Sequence, residues 1–115
     1  MLKLPAHVRV FLATAPCDMR RQFDGLAALV RSGMDRDPRS GDLYVFRNKR
    51  GDMLKALFVD PHGLSMLAKR LDRGSFRVTL DQAQLMQSAV EVSAAELAQL
   101  LTHLTLECRR PTLDA

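Results

Sequence analysis

The chain has no tryptophan and only 5% aromatic residues, so its core has to be built from Leu, Val, Ala, Met and a few Phe. Its two cysteines, Cys17 and Cys108, are far apart and match no metal or redox spacing. They read as free thiols of a reducing compartment. No stretch approaches the roughly 20 apolar residues of a membrane span. The opening MLKLPAHVRVFLATA is interrupted by Lys3, Pro5, His7 and Arg9, so no continuous signal-peptide core forms. The expectation is a soluble protein of the cytoplasm.

Catalytic chemistry is equally thin. No Gly-rich phosphate loop is present, and no Ser or Cys carries the surroundings of a nucleophile. His7, His62 and His103 are scattered over three elements. Asp60-Pro61-His62 brings a carboxylate near an imidazole, but Asp, Pro and the following Gly63 suit a turn equally well. Asp18, Asp24, Asp42, Asp52 and Asp60 are conceivable metal ligands of a nuclease. Asp18 is better placed to cap a helix, and Asp42 and Asp52 fall at strand ends. No catalytic residue, metal site or cofactor is assigned, and the chain does not read as an enzyme.

What is present is a folded composition, 115 residues with 47% hydrophobic and 26% charged, and an uneven charge. Such a domain buries roughly two-thirds of the surface its unfolded chain exposes. Residues 1–80 hold 15 Lys/Arg against 8 Asp/Glu, a net +7, whereas residues 81–115 hold 2 against 5, a net −3. A basic body with a mildly acidic tail is suited to a polyanionic partner, although a solvated basic surface has the same composition.

The pattern predicts an α+β fold, a small and mostly antiparallel sheet with helices packed on one face and a helix at the C-terminus. His7–Leu12 alternates as a strand. Asp18 is expected to cap a helix whose stripe is Met19, Phe23, Leu26 and Val30, with Gly25 packed closely against the sheet. Leu43–Phe46 and Met53–Val59 read as a hairpin. Leu64, Leu67, Ala68 and Leu71 repeat at helical spacing, which predicts a short helix over 64–73 with a strand as its rival. Phe76–Leu80 reads as another strand. The domain reading is a basic core over 1–80, a polar connection over 81–92 and an amphipathic helix over 93–108. Ser93 and Glu96 form a capping box, flanked by the staple pair Val92 and Leu97. The stripe Leu97, Leu100, Leu101 and Leu104 either packs on the domain or docks on a partner.

The most informative residues are cationic. Arg47, Lys49 and Arg50 crowd the hairpin tip, while Lys69, Arg70 and Arg73 lie on the polar face of the expected helix, with Arg77 following. Side by side, the two sets make a patch that binds phosphates, arginine's planar fork favouring bidentate contacts. The competing reading pairs these cations with Asp52 and Asp72 and leaves the faces solvated. The Arg50-Gly51-Asp52 tripeptide is explained by the turn rather than by adhesion.

Three ordered blocks then carry a resemblance. DMRRQFDGL (Asp18–Leu26), DPRSGDLYVFRNKRGD (Asp37–Asp52) and KRLDRGSF (Lys69–Phe76) resemble the TnpB accessory protein of the IS sixty-six class of bacterial insertion sequences, the small second-frame product. This is not the RNA-guided nuclease of the same name. The resemblance runs from about Leu4 to Phe76, with a weaker echo at Ser93–Leu101. It implies a role in transposition beside a separate, larger transposase, and it brings no catalytic residues with it. The family's motif residues Arg20, Arg47, Arg50, Lys69, Arg70 and Arg73 are present, and DNA contact is inferred from their charge. Relatives usually carry aromatic residues around Val59 and along Leu64–Ala68, where this chain is aliphatic.

Together these readings lead us to expect a non-catalytic transposition accessory that contacts DNA through Arg20, Arg47, Lys49, Arg50, Lys69, Arg70 and Arg73 and assists the transposase. The alternative is an interaction module that docks on transposase, or on a second copy, through Leu97, Leu100, Leu101 and Leu104. A membrane partner is not expected.

Overall fold

A computed structural model describes residue 5 and residues 7–108, the side chain of Cys108 excepted. The first four residues, which opened the stretch considered for a leader, lie outside the described residues, as does any thiol chemistry of Cys108.

The chain runs β1 (Val10–Ala13), α1 (Phe23–Ala28, continued by a π turn over Leu29–Gly33), β2 (Leu43–Arg47), β3 (Met53–Asp60), β4 (Gly63–Arg70), β5 (Arg77–Leu80), α2 (Gln82–Leu85), β6 (Ala89–Val92), α3 (Ala94–His103) and β7 (Thr105–Cys108). Five strands form one sheet in the order β4-β3-β2-β1-β6, and β5 and β7 pair separately. Within the large sheet only β1 and β2 run parallel; the other three pairings are antiparallel. This is the expected α+β architecture with a mostly antiparallel sheet and a C-terminal helix.

The helices divide between the two faces of the sheet and do not pack on one face as expected, because the central strands are apolar on both sides. On one face Phe11, Ala13, Tyr44, Phe46 and Leu57 meet Leu26, Ala27 and Val30 of α1. On the other, Val10, Leu12, Val45, Leu54, Val90 and Val92 meet Phe76, Leu106 and, from α3, Leu97 and Leu100. Both faces of the central strands are apolar, as β1 shows with four buried residues in a row, so both need a cover.

Several local expectations are corrected. Residues 63–70 are a strand, not a helix. The apolar residues of this segment also fit a period of two, and a two-residue loop returns the chain directly onto β3, pairing all eight residues from Asp60↔Gly63 to Met53↔Arg70. The Asp60 carboxylate sets that loop by accepting from the His62 and Gly63 amides and from Ser65 Oγ. Pairing along a whole strand outweighs a four-residue helical stripe. Asp18 does not cap α1, which begins after Gln22 with no side-chain cap; its carboxylate instead accepts from the Arg20 amide. Gly25 faces the Arg21 side chain and not the sheet, a Cβ there lying 3.2 Å from Arg21 Cβ. Ala89–Val92, expected within a polar connection, is β6 and closes the sheet against β1.

The C-terminal helix is capped as its sequence indicates. Ser93 Oγ accepts from the Glu96 amide and Glu96 Oε1 from the Ser93 amide, while Val92 and Leu97 share one core. The helix is shorter than 93–108, because Leu104 turns left-handed at φ 59°. The chain then continues as β7, which buries Leu106. No helix among the described residues is long and apolar enough to cross a membrane.

One side chain fixes the segment before α1. Lys55 lies on the apolar α1 face of β3, 4% exposed, and its Nζ donates to the carbonyls of Met19 and Arg21 at 2.8 and 2.9 Å. A buried ammonium is tolerated only when it is hydrogen-bonded in this way. Lys55→Met is expected to cost about 1–3 kcal/mol in urea unfolding and to speed amide exchange at Arg20 and Arg21 while the sheet amides stay protected.

Candidate nucleic-acid interface

Strand direction places three loops at one end of the large sheet: residues 14–22 after β1, 48–52 between β2 and β3, and 71–76 after β4. Backbone hydrogen bonds tie them together. The Cys17 amide donates to the Arg47 carbonyl at 2.9 Å, the Leu71 amide to Asp52 at 2.8 Å, and the Phe76 amide to Gly51 at 2.7 Å. Gly51 sits at φ +76°, where side chains are disfavoured, and a Cβ would lie 3.3 Å from the Phe76 carbonyl oxygen. Glycine at residue 51 therefore suits the close rest of the tip on the 71–76 loop.

This end gathers most of the cations singled out in the sequence. Lys49, Arg70 and Arg73 are exposed. Arg50 is 85% exposed, and its salt bridge to Asp52 is long at 3.9 Å. Arg20 is 92% exposed and pairs with Asp18 at 2.7 Å. Exposed pairs of this kind contribute little to stability and compete weakly with a phosphate.

Two of the seven are committed elsewhere. Arg47 is half-buried, and its guanidinium donates to the Thr14 carbonyl at 3.2 Å, so it braces the loop after β1. Lys69 Nζ reaches the Leu101 carbonyl at 3.3 Å, in the last turn of α3, where the helix dipole favours a cation. Because 63–70 is a strand, Lys69 and Arg70 point to opposite faces and do not share one helical face as expected. Lys69 turns toward α3, and Arg70 toward Met53, its cross-strand partner. Arg20, Lys49, Arg50, Arg70 and Arg73 remain as the outward set.

Carboxylates at this end are held in their charged form. A side-chain hydrogen bond from Arg20, then the Arg20 amide, pulls Asp18 down to about 2. The Asn48 amide group, 2.6 Å away, leads the lowering of Asp52, with Arg50 and Arg70 adding to it. The opposite end is more evenly charged. There Arg9 grips Glu91 with two bonds, at 3.0 and 2.8 Å, and Asp42 faces Arg36 at 3.6 Å.

The leucine stripe of α3 is spent inside the chain. Leu100 is 1% exposed and Leu97 is also buried, while Leu101 and Leu104 pack partly buried against the same core. A charge at position 100 would enter that core, so Leu100→Asp would not yield a folded monomer. Nor do the catalytic candidates converge. Among the described residues no three His, Cys, Asp or Glu side chains cluster tightly enough to hold a metal ion. Asp60 and His62 form the hairpin turn, and burial pushes the Cys17 thiol above its ordinary range, away from nucleophile behaviour.

Sequence reading missed Lys55. Its signal was available, a lysine in the apolar run MLKALFVD at the period-two position of Met53, Leu57 and Val59.

Comparison with known proteins places these features in one group. The family described as IS66 Orf2 like protein (TnpB_IS66) matches residues 8–111. The chain belongs to this family. Members are therefore insertion-sequence proteins, and the match covers the sheet, α1 and α3 alike. Two relatives from Sinorhizobium fredii (strain NBRC 101917 / NGR234) are similar. "Uncharacterized protein y4hO" is 37% identical over 102 residues, covering 89% of this chain and 85% of that protein. "Uncharacterized protein y4jC" is 44% identical over 69 residues, covering 60% and 59% respectively. No solved structure matches.

Two outcomes follow from this geometry. Gly51→Ala is expected to destabilise by about 1–2 kcal/mol, from the left-handed backbone alone, and chemical denaturation measures it. The Asp18 carboxyl should titrate in an NMR series with a midpoint of about 2. Arg20→Ala should return it toward the ordinary value of about 3.9. Because the folded value is depressed, the pair's stabilisation is present above the ordinary carboxylate range and is lost as pH falls through the folded value.

Proposed function

We propose that this IS66 Orf2-like protein is a non-catalytic accessory of insertion-sequence transposition. It holds the phosphate backbone of DNA with the basic end of its sheet and so steadies a separate transposase on the element. The observation that carries this reading is the gathering of Arg20, Lys49, Arg50 and Arg73 on three loops tied by backbone bonds, with Arg70 at the adjoining end of β4. Such an end approaches a polyanion without first ordering its loops, which keeps the entropic cost of binding low. Among the described residues, the firm ion pair of this set is the exposed one between Arg20 and Asp18, so the cations exchange solvent for phosphate at little internal cost.

Contacts of this type position a protein on a duplex without reading bases. The three loops themselves contain no helix to lay in the major groove. Affinity should therefore depend strongly on salt and weakly on sequence. Docking on transposase would use surface other than the buried leucines of α3.

The test is binding to labelled duplex across a salt series, with element-end and scrambled DNA. The wild-type log–log slope is expected at about −3 to −5, one unit for each phosphate neutralised. Replacing Lys49, Arg50 and Arg73 together with Ala should weaken binding to both DNAs equally and flatten the slope by about 1 for each cation removed. Unchanged affinity and slope in the triple variant would refute the reading, as would absence of wild-type binding at low salt.

A further inference from the structure

Among the described residues, the outer edge of β4 is an unfilled strand position. β4 ends the five-stranded order, and its eight residues run without a bulge. Which backbone groups face outward follows from two bonds at its far end. The Met53 carbonyl accepts from the Asn48 amide, toward β2, while the Leu71 amide donates to Asp52, toward β3. Alternation along antiparallel strands then turns Leu67 and Lys69 inward to β3 and leaves the amides and carbonyls of Leu64, Met66, Ala68 and Arg70 facing out. Leu67 is nonetheless 48% exposed. It forms the rim of an apolar groove of about 440 Å³, floored by Leu54 and Ala56 and walled by Leu97 and Leu101 of α3.

We infer that β4 pairs antiparallel with β4 of a second copy of this chain, two sheets joining about a two-fold axis at Leu67. Residues that pair must point to the same face, so the register sets Leu67 opposite Leu67, Ser65 opposite Lys69 and Leu64 opposite Arg70. The two half-exposed leucines cover one another and the two grooves meet across the axis.

Charge selects this arrangement. Parallel, in-register pairing would stack Lys69 and Arg70 on their own copies. Antiparallel pairing instead carries the cationic end of each strand, with Arg73 beyond it, to the end of its partner that holds Asp60. Lysine and arginine on an edge normally guard against sheet extension, but here they oppose only Ser65 and Leu64. The occupant is thus another β4, whose pattern of charges complements this one when reversed.

Antiparallel pairing also turns the two basic ends to opposite poles. On the DNA reading proposed above, each pole takes its own duplex. The assays below use no DNA and stand or fall apart from that reading.

In a background of Cys17→Ser and Cys108→Ser, Leu67→Cys should oxidise to a disulfide-linked dimer, because directly opposed non-hydrogen-bonded residues lie about 4.5 Å apart at Cα, within the range a disulfide spans. Ser65→Cys, which faces residue 69 of the other copy, should not. Sedimentation of the wild-type chain should show mass doubling from 12.9 kDa as concentration rises. Ala68→Pro, which removes an outward amide, and Leu67→Lys, which sets like charges face to face, should each abolish the dimer, with circular dichroism reporting an intact fold. A monomer at every concentration without Leu67→Cys cross-linking overturns the inference, including the case where β4 accepts an unrelated extended peptide. A dimer that survives both variants, or equal cross-linking at Ser65→Cys, overturns it too.

Discussion

Two backbone hydrogen bonds, Leu71 to Asp52 and Phe76 to Gly51, hold the tip of the β2–β3 hairpin against the loop that leaves β4. Much of the molecule depends on them. They set Phe76 in the core beneath α3 and start β5, whose first amide, at Arg77, donates to the Leu104 carbonyl just past that helix. They also bring the cations of two separate sequence blocks to one end of the sheet. The requirement falls on Gly51, whose backbone angle and close approach to Phe76 both disfavour a side chain.

Charge and packing are divided between the ends and faces of the sheet. Its faces are apolar on both sides and are covered by α1 and α3, which bury Leu26 and Val30 on one side and Leu97 and Leu100 on the other. On the reading proposed here, recognition falls to the loops and to the edge at β4. At the basic end, buried or half-buried cations serve the fold, Lys55 holding the segment before α1 and Arg47 bracing the loop after β1. Exposed cations on those same loops remain available to solvent. Membership of the IS66 Orf2-like family gives this division its setting, an insertion sequence whose DNA presents a regular array of phosphates.

Much of this was legible in sequence, and the failures have physical causes. The hairpin, the strand at Val10 and the Ser93–Glu96 capping box follow from local patterns that tertiary structure did not override. The strand at 63–70 was ambiguous because Leu64, Leu67, Ala68 and Leu71 fit a helical stripe, while the decisive pairing with β3 is a contact between segments. The same error put Lys69 and Arg70 on one face. Ala89–Val92 is too short and too plain to announce itself, and its role as a sheet edge comes from β1. The basic end could be suspected from composition, but its assembly rests on backbone bonds between residues 19, 25 and 30 apart in the chain, which no local pattern encodes. Lys55 was hidden for a related reason, since its partners are carbonyls.

The most direct measurement is an amide NMR titration of the protein with a short duplex at low salt. Shifts concentrated at residues 18–21, 48–52 and 70–76, fading together as salt is raised, are what a phosphate-binding sheet end requires. Shifts confined to α3 or to the Asp42 and Asp60 end, or none at all, would contradict it.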